Sequence, residues 1–376
     1  MAEPLKNLIN AETARTARKH LSRAWPSFDG ARFERLATRG LDALELKARV
    51  QHLSAALEAT LPTPFADAAT VIEASLASMQ VAEGDEPPQP ADDGLASWIV
   101  WALGDYVARC GLADPRRALA TLHALTQRST AEFAIRPFIE QHPELSFATL
   151  AAWTRDPSPH VRRLASEGSR PRLPWGVQLK GLIADPSPTL PLLLVLQDDP
   201  SAYVRRSVAN HLNDIAKDHP ALLAEWLERQ LVDASAKRRS LLKHASRTLI
   251  KKGDLRVLKA WGLGQRFKGS VELKLAPRKL AVGDTLTITA SLQSTSARRQ
   301  KLVIDYAVHH MKASGVTTPK VFKGWVLELA PHETRVLSKS HSLRPITTRR
   351  YHPGRHAVDI RVNGEPLAER DFVLRI

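Results

Sequence analysis

The stretch DPSPHVRRLASE at residues 156–167 recurs as DPSAYVRRSVAN at residues 199–210, an offset of 43 residues. Within each copy, Asp-Pro-Ser is a helix start, because proline fixes φ and Asp or Ser can cap the first turn. An offset of this size is typical of HEAT and armadillo arrays, in which a helix pair buries its apolar face only against neighbouring pairs. The repeat therefore predicts a HEAT-like solenoid.

Apolar residues keep three and four residue spacing from the start of the chain to about residue 267, which indicates helices. One of them, SWIVWALGDYVARCG at 97–111, we expect to be well buried. From about residue 268 the period becomes two, with seven short alternating segments and an Asn363-Gly364 hairpin signal. We therefore predict a mostly α protein in two domains, a HEAT-like helical-repeat domain at 1–267 and an all-β immunoglobulin-like sandwich at 268–376.

The chain is strongly basic, with 54 Lys and Arg against 39 Asp and Glu and a net charge of +15. Residues 268–376 hold 19 Lys and Arg against 9 Asp and Glu, dispersed among apolar residues as in a folded basic domain. This charge favours a polyanionic partner, nucleic acid above all.

Several other classes of protein are disfavoured. The single cysteine, Cys110, excludes an internal disulfide framework and a cysteine-based zinc site, and it suits a reducing cytoplasm. The first residues lack the apolar stretch of a secretory signal, and the longest apolar run, LPLLLVL at 190–196, is too short to span a bilayer, so we expect a soluble intracellular protein. Walker, dinucleotide-binding, zinc-protease and serine-hydrolase motifs are also missing. His309 and His310 are adjacent on a strand and should point to opposite faces, a poor geometry for one metal ion.

Two arginines follow the helix start in each copy of the repeat, Arg162 and Arg163 in the first and Arg205 and Arg206 in the second. Guanidinium groups beside the exposed backbone donors of a helix N-terminus favour phosphate oxygens. In the alternative interpretation, one arginine of each pair packs its stem between repeats and the other is only solvated. The residues alone leave both interpretations open.

Three acids near the repeats, Glu132, Glu167 and Asp214, are candidate site residues. Taken singly, each is more typical of a surface ion pair, and Glu167 stands four residues after Arg163 as in a helical pair. Trp175 follows on a loop stiffened by prolines. It could lie against a deoxyribose or a cationic base, or it could fill the space between repeats.

Three long motifs resemble the AlkC branch of bacterial DNA alkylation repair glycosylases: VRRLASEGSRPRLPWG at 161–176, VRRSVANHLNDIAKDHP at 204–220 and HHMKASGVTTPKVFKGW at 309–325. The resemblance runs over nearly the whole chain, and the sister AlkD branch lacks such a C-terminal domain. It implies a monofunctional glycosylase that removes 3-methyladenine and 3-methylcytosine from double-stranded DNA in base excision repair, without deep base flipping.

By the same resemblance, Glu132, Glu167 and Asp214 line the cleft, and Trp175 lies at the sugar of the lesion. We expect no cofactor and no metal, a monomer, and a place in the bacterial cytoplasm at the nucleoid. The residues expected to contact DNA are Arg162, Arg163, Arg170, Arg205, Arg206, Lys217, Lys312, Lys320, Lys323, Arg349, Arg350 and Tyr351. The competing functions are a non-catalytic repeat scaffold and a structural DNA-binding protein.

Overall fold

The computed structural model describes residues 4–80, 87–263, 265–346 and 349–375. Helices dominate up to Ala260, and two short strands, β1 (Met79–Gln80) and β2 (Gln89–Pro90), pair antiparallel among them. The helices are α1 (Ala11–Ala24), α2 (Gly30–Thr38), α3 (Leu46–Glu58), α4 (Phe65–Ser75), α5 (Ile99–Cys110), α6 (Pro115–Thr126), α7 (Arg136–Gln141), α8 (Pro143–Trp153), α9 (Pro159–Glu167), α10 (Lys180–Ala184), α11 (Leu190–Leu196), α12 (Ala202–Asp218), α13 (Pro220–Gln230), α14 (Ala236–Ala245), α15 (Arg247–Lys252) and α16 (Leu255–Ala260).

The repeated sequence forms the same turn twice. Asp156 Oδ1 accepts the backbone N–H of Ser158 over 2.8 Å, and Asp199 Oδ1 accepts that of Ser201 over 2.8 Å. Helices α9 and α12 follow these turns and pack against each other, and α12 also packs against α14. The apolar positions of the pattern, such as Leu164, are fully buried. The predicted helical class is confirmed. No helix in the described ranges combines the length and apolarity that a membrane span requires.

The C-terminal part consists of two packed sheets, as predicted. A five-stranded sheet has the order β4-β10-β9-β6-β7, and a three-stranded sheet has the order β3-β5-β8. All pairs are antiparallel except β4 with β10. The strands are β3 (Gly269–Ala276), β4 (Lys279–Ala281), β5 (Thr285–Ser294), β6 (Gln300–Met311), β7 (Thr317–Leu329), β8 (Thr334–Ser342), β9 (Gly354–Val362) and β10 (Glu365–Arg375).

Alternation along the strands builds the sandwich core. In β5, the side chains of Leu286, Ile288, Ala290 and Leu292 are fully buried, whereas their neighbours along the strand are not. Asn363 (φ +50°) and Gly364 (φ +85°) turn β9 into β10, which is the left-handed pair that a tight hairpin requires. The immunoglobulin-like class predicted from the period of two is confirmed.

The chain forms two compact units. The first contains Met1–Asp218 and Ala236–Ala245, and the second contains His219–Ser235 and Ser246–Ile376. The second unit therefore holds α13, α15 and α16 in addition to the sandwich. The change from helix to strand falls between Ala260 and Gly269, whereas a domain boundary at residues 267 and 268 stays a prediction.

Candidate active site

The first unit contains a cavity of about 500 Å³ where the end of α9 and the loop after it meet the start of α5. Acids, aromatic rings and hydroxyl groups share its wall. The lining residues are Ser97, Trp98, Trp101, Ser129, Thr130, Glu132, Phe133, Glu167, Arg170, Leu173, Pro174 and Trp175. The structure thus brings Glu132 to the same cavity as Glu167 and Trp175, which follow it more than 30 positions later in the sequence.

Glu167 is the last residue of α9 and is only 5% exposed. Its Oε1 accepts a hydrogen bond from Arg170 Nη1 over 2.5 Å, and its Oε2 accepts one from the Ser207 hydroxyl over 2.6 Å. A carboxylate held at both oxygens has a fixed position and direction. Ser207 lies on α12, so the packing of α9 on α12 sets the orientation of this acid.

Arg163 joins the two acids of the cavity wall. Its Nη2 lies 2.7 Å from Glu132 Oε2 and 3.7 Å from Glu167 Oε1, and its Nη1 donates to the Thr130 hydroxyl. Burial by itself lowers the pKa of Arg163, but Glu132, Tyr203 and Glu167 together outweigh it, and the pKa is raised above its usual range. The guanidinium also lies over the Tyr203 ring, 5.2 Å from its centroid. Arg163 therefore forms ion pairs with the two acids of the cavity wall from inside the protein.

Asp214 does not belong to the cavity wall. Its Oδ2 accepts a hydrogen bond from Arg170 Nε over 2.8 Å and lies 2.7 Å from Arg170 Nη2, and its Oδ1 accepts from Lys217 Nζ over 2.7 Å. Burial lowers the pKa of Arg170, but the charges of Glu167 and Asp214 raise it overall. Of the three acids expected to line the cleft, Glu132 and Glu167 line this cavity. Asp214 does not, because it contacts Arg170 from the side away from Glu167.

Trp175 projects from the loop with 58% of its surface exposed. Its φ of +66° is in the left-handed region, which a residue with a Cβ rarely adopts. Leu173, two residues earlier, is buried and anchors the loop. The exposure contradicts the alternative interpretation in which the Trp175 ring fills the space between repeats.

An aromatic cluster that shares the cavity wall with the acids was not expected from the sequence. Trp98, Trp101 and Phe133 are half-buried, with ring centroids 6.4 Å apart for the two tryptophans and 4.9 Å apart for Trp101 and Phe133. The expectation that the segment 97–111 is well buried therefore fails at its two tryptophans, although the rest of α5 lies largely in the core. Their spacing of three residues, which places them on one helix face, was the signal available.

The repeat arginines divide into two kinds. Arg162 Nη1 donates to the carbonyls of Asp156 and Pro157, and its Nε bonds to Asp199 over 2.6 Å. Arg205 likewise donates to the two carbonyls of its own Asp-Pro turn. The guanidinium groups of Arg162 and Arg205 are thus already bonded within the helical domain, as are those of Arg163 and Arg170. The geometry therefore does not favour phosphate contact by any of these four arginines. By contrast, Arg206 is exposed, with its Nη1 3.3 Å from His244 Nδ1, and Lys217 is exposed beside Asp214.

In the sandwich, Lys312, Lys320, Lys323 and Arg350 are exposed, as a DNA-contacting surface requires. Lys312 opens the turn between β6 and β7, where its N–H bonds to the carbonyl of Val316. The prediction for Tyr351 has to be corrected. Tyr351 is 8% exposed and packs in the sandwich core against His310, under the guanidinium of Arg349. Its ring is therefore hidden from any partner.

His309 and His310 project from opposite faces of β6, as predicted. His309 Nε2 lies 2.6 Å from Asp359 Oδ2 on the outer face, and His310 packs in the core. His309, Asp359 and Glu369 have potential ligand atoms within 4.8 Å of one another. Arg361 already donates to both oxygens of Asp359, which makes this carboxylate a poor ligand for a further cation. The expectation of no metal stays a prediction.

A basic run between residues 237 and 252 was also missed. Most of the charge excess lies after residue 268, but α14 and α15 also carry several exposed basic side chains. The exposed members are Lys237, Arg239, Lys243, Lys251 and Lys252. A count of charge in a short moving window along the chain would have found this run.

Comparisons with known proteins agree with this architecture. A family model described as "Uncharacterised protein YhaZ, C-terminal Ig-like domain" matches residues 270–376. The chain is 36% identical over 370 residues to the uncharacterized protein YhaZ of Bacillus subtilis (strain 168), with 98% of both chains covered. It superposes on the structure of the Pseudomonas fluorescens alkylpurine DNA glycosylase AlkC bound to DNA containing an abasic site analog. That match has a TM-score of 0.90, 34% identity and full coverage of both chains.

A helical domain followed by an immunoglobulin-like sandwich is the architecture that this chain shares with AlkC. The similarity extends over the whole chain on both sides of the comparison. The chain belongs to the AlkC-type family, which includes YhaZ.

Proposed function

We propose that this protein is a monofunctional DNA glycosylase that hydrolyses the N-glycosidic bond of N3-methylated bases, 3-methyladenine and 3-methylcytosine, in double-stranded DNA. The observation that carries the proposal is that Glu167 and Trp175 line one cavity in a chain of the AlkC-type family. The similar Pseudomonas fluorescens protein is an alkylpurine DNA glycosylase bound to DNA, which supports both the reaction and the partner.

The chemistry needs no cofactor. An N3-methylated base is cationic and leaves readily, so the barrier lies in the positive charge that develops on the deoxyribose as the bond stretches. A carboxylate fixed beside that sugar stabilises the oxocarbenium-like transition state and can orient the attacking water. Glu167, held at both oxygens, supplies this fixed negative charge. A neutral base is a poor leaving group, and stabilisation of the transition state by the carboxylate is too small to release it.

The surroundings of Glu167 suit a positively charged centre. Glu132 adds a second carboxylate, and no described residue donates to its Oε1. Trp98, Trp101 and Phe133 present aromatic rings, whose negative faces attract cations. The exposed indole of Trp175 is the group that lies against the lesion sugar, so the base need not enter a deep pocket.

Exposed basic side chains supply the binding of the DNA backbone, in accord with the net charge of +15. Arg206 and Lys217 do so in the first unit, and Lys312, Lys320 and Lys323 in the sandwich. The protein acts as a monomer on the chromosome in the bacterial cytoplasm. Its reaction is one step of base excision repair.

The test is release of the base. The full chain is incubated with methylated duplex DNA and with the same duplex unmethylated, and free bases are separated by chromatography. We expect free 3-methyladenine and 3-methylcytosine, abasic sites and no strand breaks, since none of the described residues that line the cavity is a lysine. Binding without release supports the structural DNA-binding alternative, and absence of both supports the scaffold. Either result overturns the proposal.

A further inference from the structure

Arg136 anchors the loop that carries Trp175 from inside the protein. It begins α7 and is 1% exposed. Its Nη1 donates to the carbonyls of Gly168 and Arg170 over 2.9 and 2.8 Å, and its Nε donates to the carbonyl of Val177 over 2.6 Å. The Arg136 guanidinium group therefore binds the backbone of the loop on both sides of Trp175. Burial of this group lowers its pKa to about 10, which leaves it charged at neutral pH.

Lys47 holds the same loop from the solvent side. It lies in the first turn of α3, is exposed, and donates from Nζ to the carbonyl oxygen of Trp175 over 2.5 Å. Trp175 has a left-handed backbone, which persists only where neighbouring interactions impose it. The bond from Lys47 acts at this residue, and those from Arg136 act on either side of it.

All four hydrogen bonds go to backbone carbonyl oxygens, and the indole of Trp175 stays 58% exposed. The two cations thus fix the position of the ring without covering it. A reacting group that is fixed before the substrate arrives loses little entropy on binding, and small displacements of such a group are costly to the rate.

We propose that Arg136 and Lys47 are positioning residues that hold Trp175 beside Glu167 before DNA binds. This inference rests on the proposed function, in which Trp175 meets the sugar of the lesion. Through Lys47, it gives helix α3 a role in the active site, although α3 lies far from Trp175 in the sequence. An exposed lysine in a basic protein could instead contact phosphate, and the two roles give different results.

The experiment compares Lys47→Met with Lys6→Met in the full chain. Lys6 pairs with Glu45 one residue before α3, so its replacement removes the same charge nearby without touching the loop. Hydrogen exchange of the amides in residues 168–179 is measured first, because it is independent of activity. We expect faster exchange in Lys47→Met than in Lys6→Met or the wild type. Equal exchange in the three proteins overturns the inference, whatever the enzyme does.

Single-turnover excision on a methylated duplex is the second readout. We expect Lys47→Met to slow the chemical step by about tenfold, with the dissociation constant and its salt dependence equal to those of Lys6→Met. In a Trp175→Ala background the same change should have no further effect. An undiminished effect in that background, or a reduced salt slope with an unchanged rate, shows that Lys47 does not act through Trp175.

Arg136→Lys provides a second variant at the buried anchor, checked for folding by thermal denaturation. A folded Arg136→Lys protein should show the same faster exchange in residues 168–179 and the same slower chemical step, and wild-type values for both would remove Arg136 from the proposal. Failure of the wild type to release any base overturns the proposed function, but the exchange measurement still decides the positioning.

Discussion

Arg170 donates to Glu167 over 2.5 Å, and both side chains are more than nine-tenths buried. The sequence led us to expect Arg170 on phosphate, but it balances an acid inside the protein. Its other nitrogens bond to Asp214, so one arginine fixes two carboxylates from different helices. An acid oriented in this way meets the sugar in a constant position, which is what stabilisation of a developing charge requires.

Replacement of Glu167 by Gln should remove most excision and leave DNA binding nearly unchanged. The amide keeps the shape and can still accept from Ser207, but the negative charge is lost. We expect the single-turnover rate to fall by roughly 100-fold or more, with a dissociation constant within a few-fold of the wild type. The exposed Glu144→Gln is the matched control. A variant that still releases 3-methyladenine at the full rate removes Glu167 from the mechanism.

Loss of Arg170 alone should be more damaging to stability than loss of Arg170 together with its acids. Arg170→Met removes the cation that two buried carboxylates share and leaves them only Lys217 and the more distant Arg163, which should cost up to about 3–5 kcal/mol. Addition of Glu167→Gln and Asp214→Asn should recover part of this loss. Urea denaturation measures both free energies of unfolding. If the triple variant is no more stable than the single one, the charges are not coupled as the contacts indicate.

Arg205 and Arg206 are neighbours in the repeat with different predicted effects. Arg205→Ala breaks bonds to two carbonyls of its turn and should destabilise the fold by about 1–2 kcal/mol, with the salt slope of DNA binding unchanged. Arg206→Ala removes an exposed cation and should lower that slope by about one, with stability unchanged. Because each removes one charge, each serves as the control of the other. The reverse pattern contradicts the division of the repeat arginines.

His211 should make the protein less stable in mild acid. Burial lowers its pKa from 6.5 to about 3, while Nδ1 bonds to the carbonyl of Ser166. Above pH 6.5 neither state binds the proton. Below it the unfolded chain binds one and the fold does not, so stability falls as the pH decreases toward about 3. His211→Gln should reduce the slope between pH 6.5 and 4.5 by up to about 1.4 kcal/mol per pH unit. Unfolding by urea at several pH values measures it, and parallel curves contradict the prediction.

The lysines of the sandwich should contribute to binding and not to chemistry. Joint replacement of Lys312, Lys320 and Lys323 by Ala should lower the salt slope of DNA binding by up to about three. The single-turnover rate at saturating protein should stay at the wild-type value. Exposed Lys274 and Lys301 belong to the same sandwich, and Ala at these positions is the control. An unchanged slope removes the sandwich surface from the DNA interface.

Much of the fold was predictable because its signals are local. The repeat at residues 156 and 199 specified α9 and α12, the alternation after residue 268 specified two sheets, and Asn363-Gly364 specified a hairpin. Helix caps, turns and periodicity depend on residues a few positions apart. Resemblance at the motifs around 161–176 also indicated the family, and the comparison over the whole chain confirmed it.

The sequence by itself therefore determined the two classes of secondary structure, the repeat and the candidate acids with Trp175. Only the tertiary structure decided the partners of the charges. Arg170 meets Asp214 44 positions later, and Lys47 meets Trp175 128 positions later. The physical reason is that an ion pair or a carbonyl bond depends on which helices pack together, and this packing follows from the burial of apolar faces along the whole array. No local pattern records it.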